Sequence, residues 1–389
     1  MPAGMLTENG KGGEVMNGRQ VTTIRARLFY ILAAAFDLWA LHLTLCAAGI
    51  PLSAWLWWGG WGALYGTLYL ALPLSQTVLG QLLGRGMTYA LSLHAVLLWS
   101  AVGSLCLLAG LSFWGTAGLL AAGRSGLLLF LAGTVTCIRG FCAARPLHLR
   151  RFFLTTSKVV PGGQLRIVHL SDLHLGFIQN ARFAADLVRR VNALCPDLVC
   201  ISGDIFSDTL RPIKAPDNMA SVLSGMRAQF GVFACPGNHD AGEEDAMAAF
   251  LRKAGIRMLS EEALFPAGNL ALIGRADASP GGVRKLRAPI GECLIGTDPL
   301  QYRIVLDHQP GAVGEAAQAG ADLLLCGHTH GGQFFPIRLF IEKRFPYCAG
   351  LYTCGGMTVA VSPGSGAGAP PIRLGSRGEI FVLTVRQRE

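Results

Sequence analysis

An α/β domain behind an N-terminal set of membrane-crossing helices is the fold class this sequence predicts, and three observations predict it. Between Leu28 and Ile138 the only formal charges are Asp37, Arg85 and Arg124, in a background of Leu, Ala, Gly and Trp. No soluble core needs so long an apolar tract. From about residue 164 onward, short apolar runs alternate with amphipathic stretches, the signature of buried strands joined by helices. Lys and Arg, which give the 389-residue chain a formal net charge of +9, gather at the borders of the apolar tract. Such clustering at borders speaks for a membrane surface, and no recognisable nucleic-acid-binding motif accompanies it.

Taken in order, residues 1–27 are Gly-rich, polar and basic, and read as a disordered tail ending in Arg25 and Arg27. Four spans fit the tract, at about 28–49, 54–74, 88–110 and 120–140, each near the roughly 20 residues a bilayer requires. Lys11, Arg19, Arg25 and Arg27 precede the first span. Arg85 lies between the second and third, and Arg139, Arg145, Arg150 and Arg151 follow the fourth, whereas the opposite loops offer only Arg124. Positive residues stay on the cytoplasmic side, so both termini are expected there, at the bacterial inner membrane. The eleven cysteines show no disulfide-like spacing, which agrees with that side. Asp37 and His94 fall at similar depths in spans one and three; a buried pair or proton-relay site is the functional reading, but no other relay residue is in view, so local capping or plain packing is preferred. Residues 141–163 read as a basic and apolar juxtamembrane segment followed by a linker with Pro161, Gly162 and Gly163.

In residues 164–389, helix-like stretches at 181–194, 217–229, 243–254 and 312–319 separate the strand-like runs. Leu270–Gly274, Met357–Ser362 and Glu379–Val385 add strands without helices, so a second sheet is expected. Five of the apolar runs end directly in side chains able to hold a metal. These ends are Asp172-Leu173-His174, Gly203-Asp204, Gly237-Asn238-His239-Asp240, Asp307-His308 and Gly327-His328-Thr329-His330. Strand ends are where open α/β sheets carry their chemistry.

In this order the five motifs resemble the calcineurin-like metallophosphoesterase superfamily, over roughly residues 164–389. The resemblance implies a four-layer α/β/β/α sandwich and a site for two divalent metal ions, Mn, Fe or Zn. It places Asp172, His174 and His330 on one ion, Asn238, His308 and His328 on the other, and Asp204 on both. Two such ions clamp a phosphoryl group and turn water into hydroxide at neutral pH, so direct hydroxide attack on a phosphodiester or pyrophosphate is the implied reaction. His239 is expected beside the scissile bond as the proton donor, with Asp240 orienting its ring.

His169 reads as a histidine that packs or backs a metal ligand, and Asp208, Asp277 and Asp307, which could also back metal ligands, read preferentially as turn or surface carboxylates. An arginine that similar proteins carry in a Ser-Arg-Gly turn is missing from Val361–Gly366. The aromatic and basic stretch Phe334–Phe345, directly after the last metal motif, points to a lipid headgroup or nucleotide-lipid pyrophosphate as substrate. The competing class is a sensor or scaffold that only binds a phosphorylated ligand, and metal-dependent turnover separates the two.

Overall fold

A computed structural model describes residues 18–50, 59, 74–207, 209–240, 244–278, 287–334, 337–368 and 370–388. Three long helices come first: α1 (Gly18–Ala47), α2 (Val78–Leu111) and α3 (Gly115–Ala144). Helix α1 begins at Gly18, so residues 18–27 extend it and are not part of a disordered tail. The expected second span at 54–74 lies, but for its residues 59 and 74, outside the described residues, as does the tail before residue 18.

Helices α2 and α3 form an antiparallel pair, joined by a tight turn at Ser112–Trp114 and Gly115, whose φ is 68°. Small residues let the two backbones approach: Ser100 Oγ donates to Leu129 O at 2.9 Å and Ser104 Oγ to Gly126 O at 3.3 Å. The continuous stretch Val78–Ala144 is long and apolar enough to cross a membrane, by length and composition. Between α1 and α2, Asp37 and His94 meet directly, with His94 Nδ1 3.1 Å from Asp37 Oδ2 and both side chains buried. The preferred expectation of separate local caps is thereby corrected: in an apolar bundle each group's best polar partner is the other.

The next correction is at the domain border. Residues 147–156, expected in a juxtamembrane segment and linker, form strand β1 (Leu147–Thr156), paired in parallel with the C-terminal strand β12 (Gly378–Gln387) along its whole length. The run Phe152-Phe153-Leu154 has the composition of an interfacial segment, but Phe152 and Leu154 face the core between the sheets. A partner some 230 positions away gives no local signal.

Between them the chain runs β2 (Gln164–Leu170), α4 (Ala181–Asn192), β3 (Leu198–Ser202), α5 (Pro216–Leu223), β4 (Val232–Cys235), α6 (Glu244–Lys253) and β5 (Ile256–Met258). These strands with β1 and β12 make one sheet of order β1-β12-β2-β3-β4-β5. Next come β6 (Glu262–Ala267), β7 (Leu270–Gly274), α7 (Ile290–Cys293), β8 (Tyr302–Leu306), α8 (Val313–Gln318), β9 (Leu323–Cys326), α9 (Ile337–Arg344), β10 (Gly350–Cys354) and β11 (Met357–Val361). Their strands make the second sheet, β10-β11-β9-β8-β7-β6. Both sheets are mixed. β2 to β5 run parallel in the first, β7, β8, β9 and β11 in the second, each with antiparallel neighbours toward the edges.

The strand sequences explain the layers. Ile304 and Leu306, with Leu323 and Leu325, face the first sheet and pack on Ile167, Leu198 and Cys200. The intervening Val305, Leu324 and Cys326 face α7 and α8. On the other side Val168, Val199 and Ile201 face α4, α5 and α6. Side chains alternate along a strand, so a continuous apolar run serves two cores at once. The parallel strands β2, β3, β4, β8 and β9 thus end together at one rim.

Candidate metal centre

Three of the five strands, β2, β3 and β9, pass at that rim into turns that no ordinary strand residue favours. Asp172, His174, Asp204, His328 and His330 all have left-handed backbones, with φ between 46° and 69°. Non-glycine residues there are strained and persist only where surrounding bonds fix them. Those bonds are present. Asp172 N donates to Gly203 O and His174 N to Asp204 O, both at 3.0 Å, so the first two motifs are locked side by side. The amide of His328 donates to the Asp172 carboxylate at 3.1 Å, tying one sheet's rim to the other's.

Glycine makes the approach possible. A Cβ on Gly327 would lie 2.4 Å from Asp172 Oδ2, and one on Gly237 would lie 2.3 Å from both the amide and Oδ1 of Asp204.

Two groups of ligand atoms result, each within 4.8 Å: Asp172, His174 and His330, and Asp204, His308 and His328. In the first, His174 Nε2 and His330 Nε2 lie 3.2 Å apart, and Asp172 Oδ1 is 3.5 Å from His330 Nε2. In the second, Asn238 Oδ1 lies 3.1 Å from His308 Nε2 and 2.9 Å from His328 Nδ1, so the amide oxygen joins the set. Asp204 stands between them, its Oδ2 3.3 Å from His308 Nε2 and 3.7 Å from His174 Nε2. Its other oxygen accepts the His239 amide at 2.9 Å.

This donor set fits a pair of divalent cations. Ring nitrogens and carboxylate oxygens that converge so closely repel one another unless protons or cations stand among them, and oxygen with imidazole suits first-row divalent ions. The imidazole of His308 is oriented for the purpose, since Nδ1 lies 2.9 Å from Ser202 O and Nε2 faces the centre. Burial, with the neighbouring His308, pushes His328 down to about 4. Burial, with the neighbouring His174 and Arg373, holds His330 well below the usual imidazole range. Neutral imidazoles are the form a metal needs. Burial alone would raise Asp204, but His308 beside it overrides that and holds the carboxyl well below its ordinary range.

All seven residues expected to hold metal come together. His239 lies at their edge, its ring edge-on to that of His174 with centroids 5.1 Å apart. Asp240 does something other than expected. Its carboxylate is buried and accepts the amides of Gly237 at 2.9 Å, Phe206 at 3.0 Å and Ile205 at 3.2 Å, so it fastens the Asp204 loop to the Asn238 loop. Three backbone donors fixed in one pocket are a stronger draw for a buried carboxylate than one half-exposed ring. His169 packs as expected, against Ser202 Oγ at 2.8 Å and edge-on to Phe381. Asp307, expected in a surface role, is fully buried and ion-paired with Arg287. Asp277 accepts from Gln309 Nε2 at 2.9 Å, and Asp208 lies outside the described residues.

An arginine from outside the stretch Val361–Gly366 does reach it, Arg373. It is fully buried beside the centre, and its Nη2 donates to Pro363 O and Gly366 O, both at 2.7 Å, holding the Gly-rich loop 362–368 against Asp172. A Ser-Arg-Gly sequence stands at Ser376-Arg377-Gly378, ten residues beyond Gly366. Nothing in the local sequence says that a guanidinium will meet those carbonyls.

The profile of the calcineurin-like phosphoesterase family matches residues 165–332, which contain every one of these strand-end motifs. An uncharacterised metallophosphoesterase of Aquifex aeolicus is 32% identical over 248 residues, covering 62% of this chain and 92% of that protein. The chain belongs to the calcineurin-like metallophosphoesterases. It is therefore a phosphoesterase hydrolase. Other members of the family similar to it are a Campylobacter jejuni metallophosphoesterase, 30% identical over 229 residues, and a cattle transmembrane protein with metallophosphoesterase domain, 32% identical over 280. The alignments cover 58% and 67% of this metallophosphoesterase, and 60% and 62% of those relatives' length.

Proposed function

We propose that this metallophosphoesterase is anchored in a membrane and cleaves a phosphodiester or pyrophosphate, of a lipid or nucleotide-lipid, at a two-metal centre. The observation that carries the reading is Asp204, whose one oxygen faces both ligand groups. Asp172, His174 and His330 would hold one ion, Asn238, His308 and His328 the other, and Asp204 both, with residues 164–389 as the catalytic domain. Divalent ions such as Mn, Fe or Zn would supply neutralisation of phosphoryl charge and acidification of water.

The protein's own part is orientation and proton transfer. Asp240 and the paired turns keep the ligand side chains in register before substrate arrives. His239, at the edge of the centre and half exposed, is placed to give a proton to the departing oxygen.

Anchoring draws support from the apolar stretch Val78–Ala144 and from vertebrate relatives described as transmembrane proteins. With Arg85, Arg139 and Arg145 on one side, the catalytic domain belongs in the cytoplasm at the cell membrane. The test is hydrolysis of bis-p-nitrophenyl phosphate against p-nitrophenyl phosphate by the full chain in lipid nanodiscs, with and without Mn²⁺. Turnover that needs metal, prefers the diester and disappears in Asp204→Ala is expected. Two bound metals with no turnover would make the domain a binding module instead.

A further inference from the structure

We infer that helix α9 is a lipid-contacting element that rests on an anionic bilayer surface beside the metal centre. The inference rests on the membrane anchoring proposed above and adds a second, separate attachment. None of the eight side chains of α9 is buried. Ile337, Leu339 and Phe340 are 42%, 56% and 69% exposed, three large apolar groups on two turns of helix. Scattered apolar residues on a surface need no explanation, but three exposed on one short helix, with only Ile341 half-buried, do.

The helix is rigidly tied to the metal centre. Arg338 N donates to Phe334 O at 3.1 Å, and a Cβ on Gly332 would lie 2.5 Å from Arg338 Cα, so the start of α9 lies flush on the turn that carries His330. At its other end the Phe345 ring stands edge-on to His328, centroids 5.4 Å apart.

Its position relative to the long helices says what covers it. Phe334 is buried with Cys137 of α3 and Ile372, against Leu93, Val96 and Phe141. Arg373 N donates to Gly140 O at 3.0 Å. Ile337 follows Phe334 by three residues, a reach of at most about 10 Å. With 30 and 34 residues, α3 and α2 are about 45 and 51 Å long, against a hydrocarbon core of about 30 Å. The first turn of α2 and the last turn of α3 therefore project into the headgroup layer, where Arg139 and Arg145 are exposed, and α9 is launched from that level.

Charge completes the argument. Against Glu342, which pairs with Arg338 at 2.7 Å, α9 carries Lys343 and Arg344. A short helix with outward apolar groups and a net positive charge, held at headgroup level, suits an anionic lipid surface rather than a second protein.

The test uses the full chain in nanodiscs of phosphatidylcholine, with or without phosphatidylglycerol, carrying Phe340→p-benzoylphenylalanine. The same replacement at Phe265, which is 47% exposed on β6 at the edge of the second sheet, serves as control. Illumination should attach lipid at position 340 and not at 265. The double variant Lys343→Glu and Arg344→Glu should lower the adduct at least about fivefold in the anionic discs only. No lipid adduct at 340, or an adduct to a second copy of the chain, would overturn the inference. Turnover is not the readout, so a chain that inserts and hydrolyses the diester but gives no adduct loses only this inference. A chain that gives the adduct without turnover loses only the catalytic reading.

Discussion

His239 and Asp240 are neighbours in sequence with separate tasks, and substitution should separate them. His239→Ala removes a ring at the edge of the centre whose backbone amide still reaches Asp204. Turnover should fall by roughly 10²–10⁴ while metal content and thermal stability stay as they were. The loss should be smaller for bis-p-nitrophenyl phosphate than for an alkyl diester, because nitrophenolate departs without a proton. Equal losses for the two esters would remove His239 from the role of proton donor. Asp240→Ala instead leaves three buried amides without an acceptor, each worth about 1–3 kcal/mol. A drop in melting temperature together with lost metal is expected, measured by calorimetry and elemental analysis. A variant of normal stability and metal content that is merely slow would return Asp240 to the role of ring orienter.

At the scale of elements, the centre is a property of turns at strand ends, and glycine sets their spacing. Gly327→Ala would bring a methyl group to 2.4 Å from Asp172 Oδ2, and the two motifs must part. Overpacking of this kind costs about 1–3 kcal/mol, so the domain should still fold. The expected outcome is a folded protein that binds fewer than two metals per chain, read by elemental analysis beside circular dichroism; full metal content would show that the turn has room. The same scale explains what could be read beforehand. The convergence of the seven residues expected to hold metal was legible because each motif follows an apolar run immediately, so the strand and its turn are one local signal. Strand β1 was not, since its apolar-basic alternation acquires meaning only from β12 beside it. The role of Arg373 was not legible for a like reason: its partners Pro363 and Gly366 are loop carbonyls with no side-chain code. The meeting of Asp37 with His94 was half legible, as depth follows from residue count but facing does not.

At the scale of the whole molecule, the helical part and the catalytic domain are joined on both sides of the metal centre. Near the loop after His174, Arg85 Nε donates to Phe177 O at 3.1 Å, and a Cβ on Gly84 would strike the Phe177 ring at 2.4 Å. On the other side, Gly140 lies against Ile372 and Leu374, next to the loop after His330. The domain therefore sits on the N-terminal end of α2 and the C-terminal end of α3, which the antiparallel pairing brings to the same level. That end carries Arg85, Arg139 and Arg145, and the turn at Ser112–Trp114 marks the other. If the helices cross a membrane as proposed, the domain shares the side of these arginines whatever the second span does, because it is docked on that end of α2 and α3. Green fluorescent protein joined after Glu389 should fluoresce in a bacterial host, and alkaline phosphatase joined there should be inactive. Alkaline phosphatase inserted between Phe113 and Trp114, where both side chains are exposed, should be active. The reverse pattern would place the metal centre outside the cytoplasm, and the basic residues at the docking end would then face the side that membrane proteins keep poor in Lys and Arg.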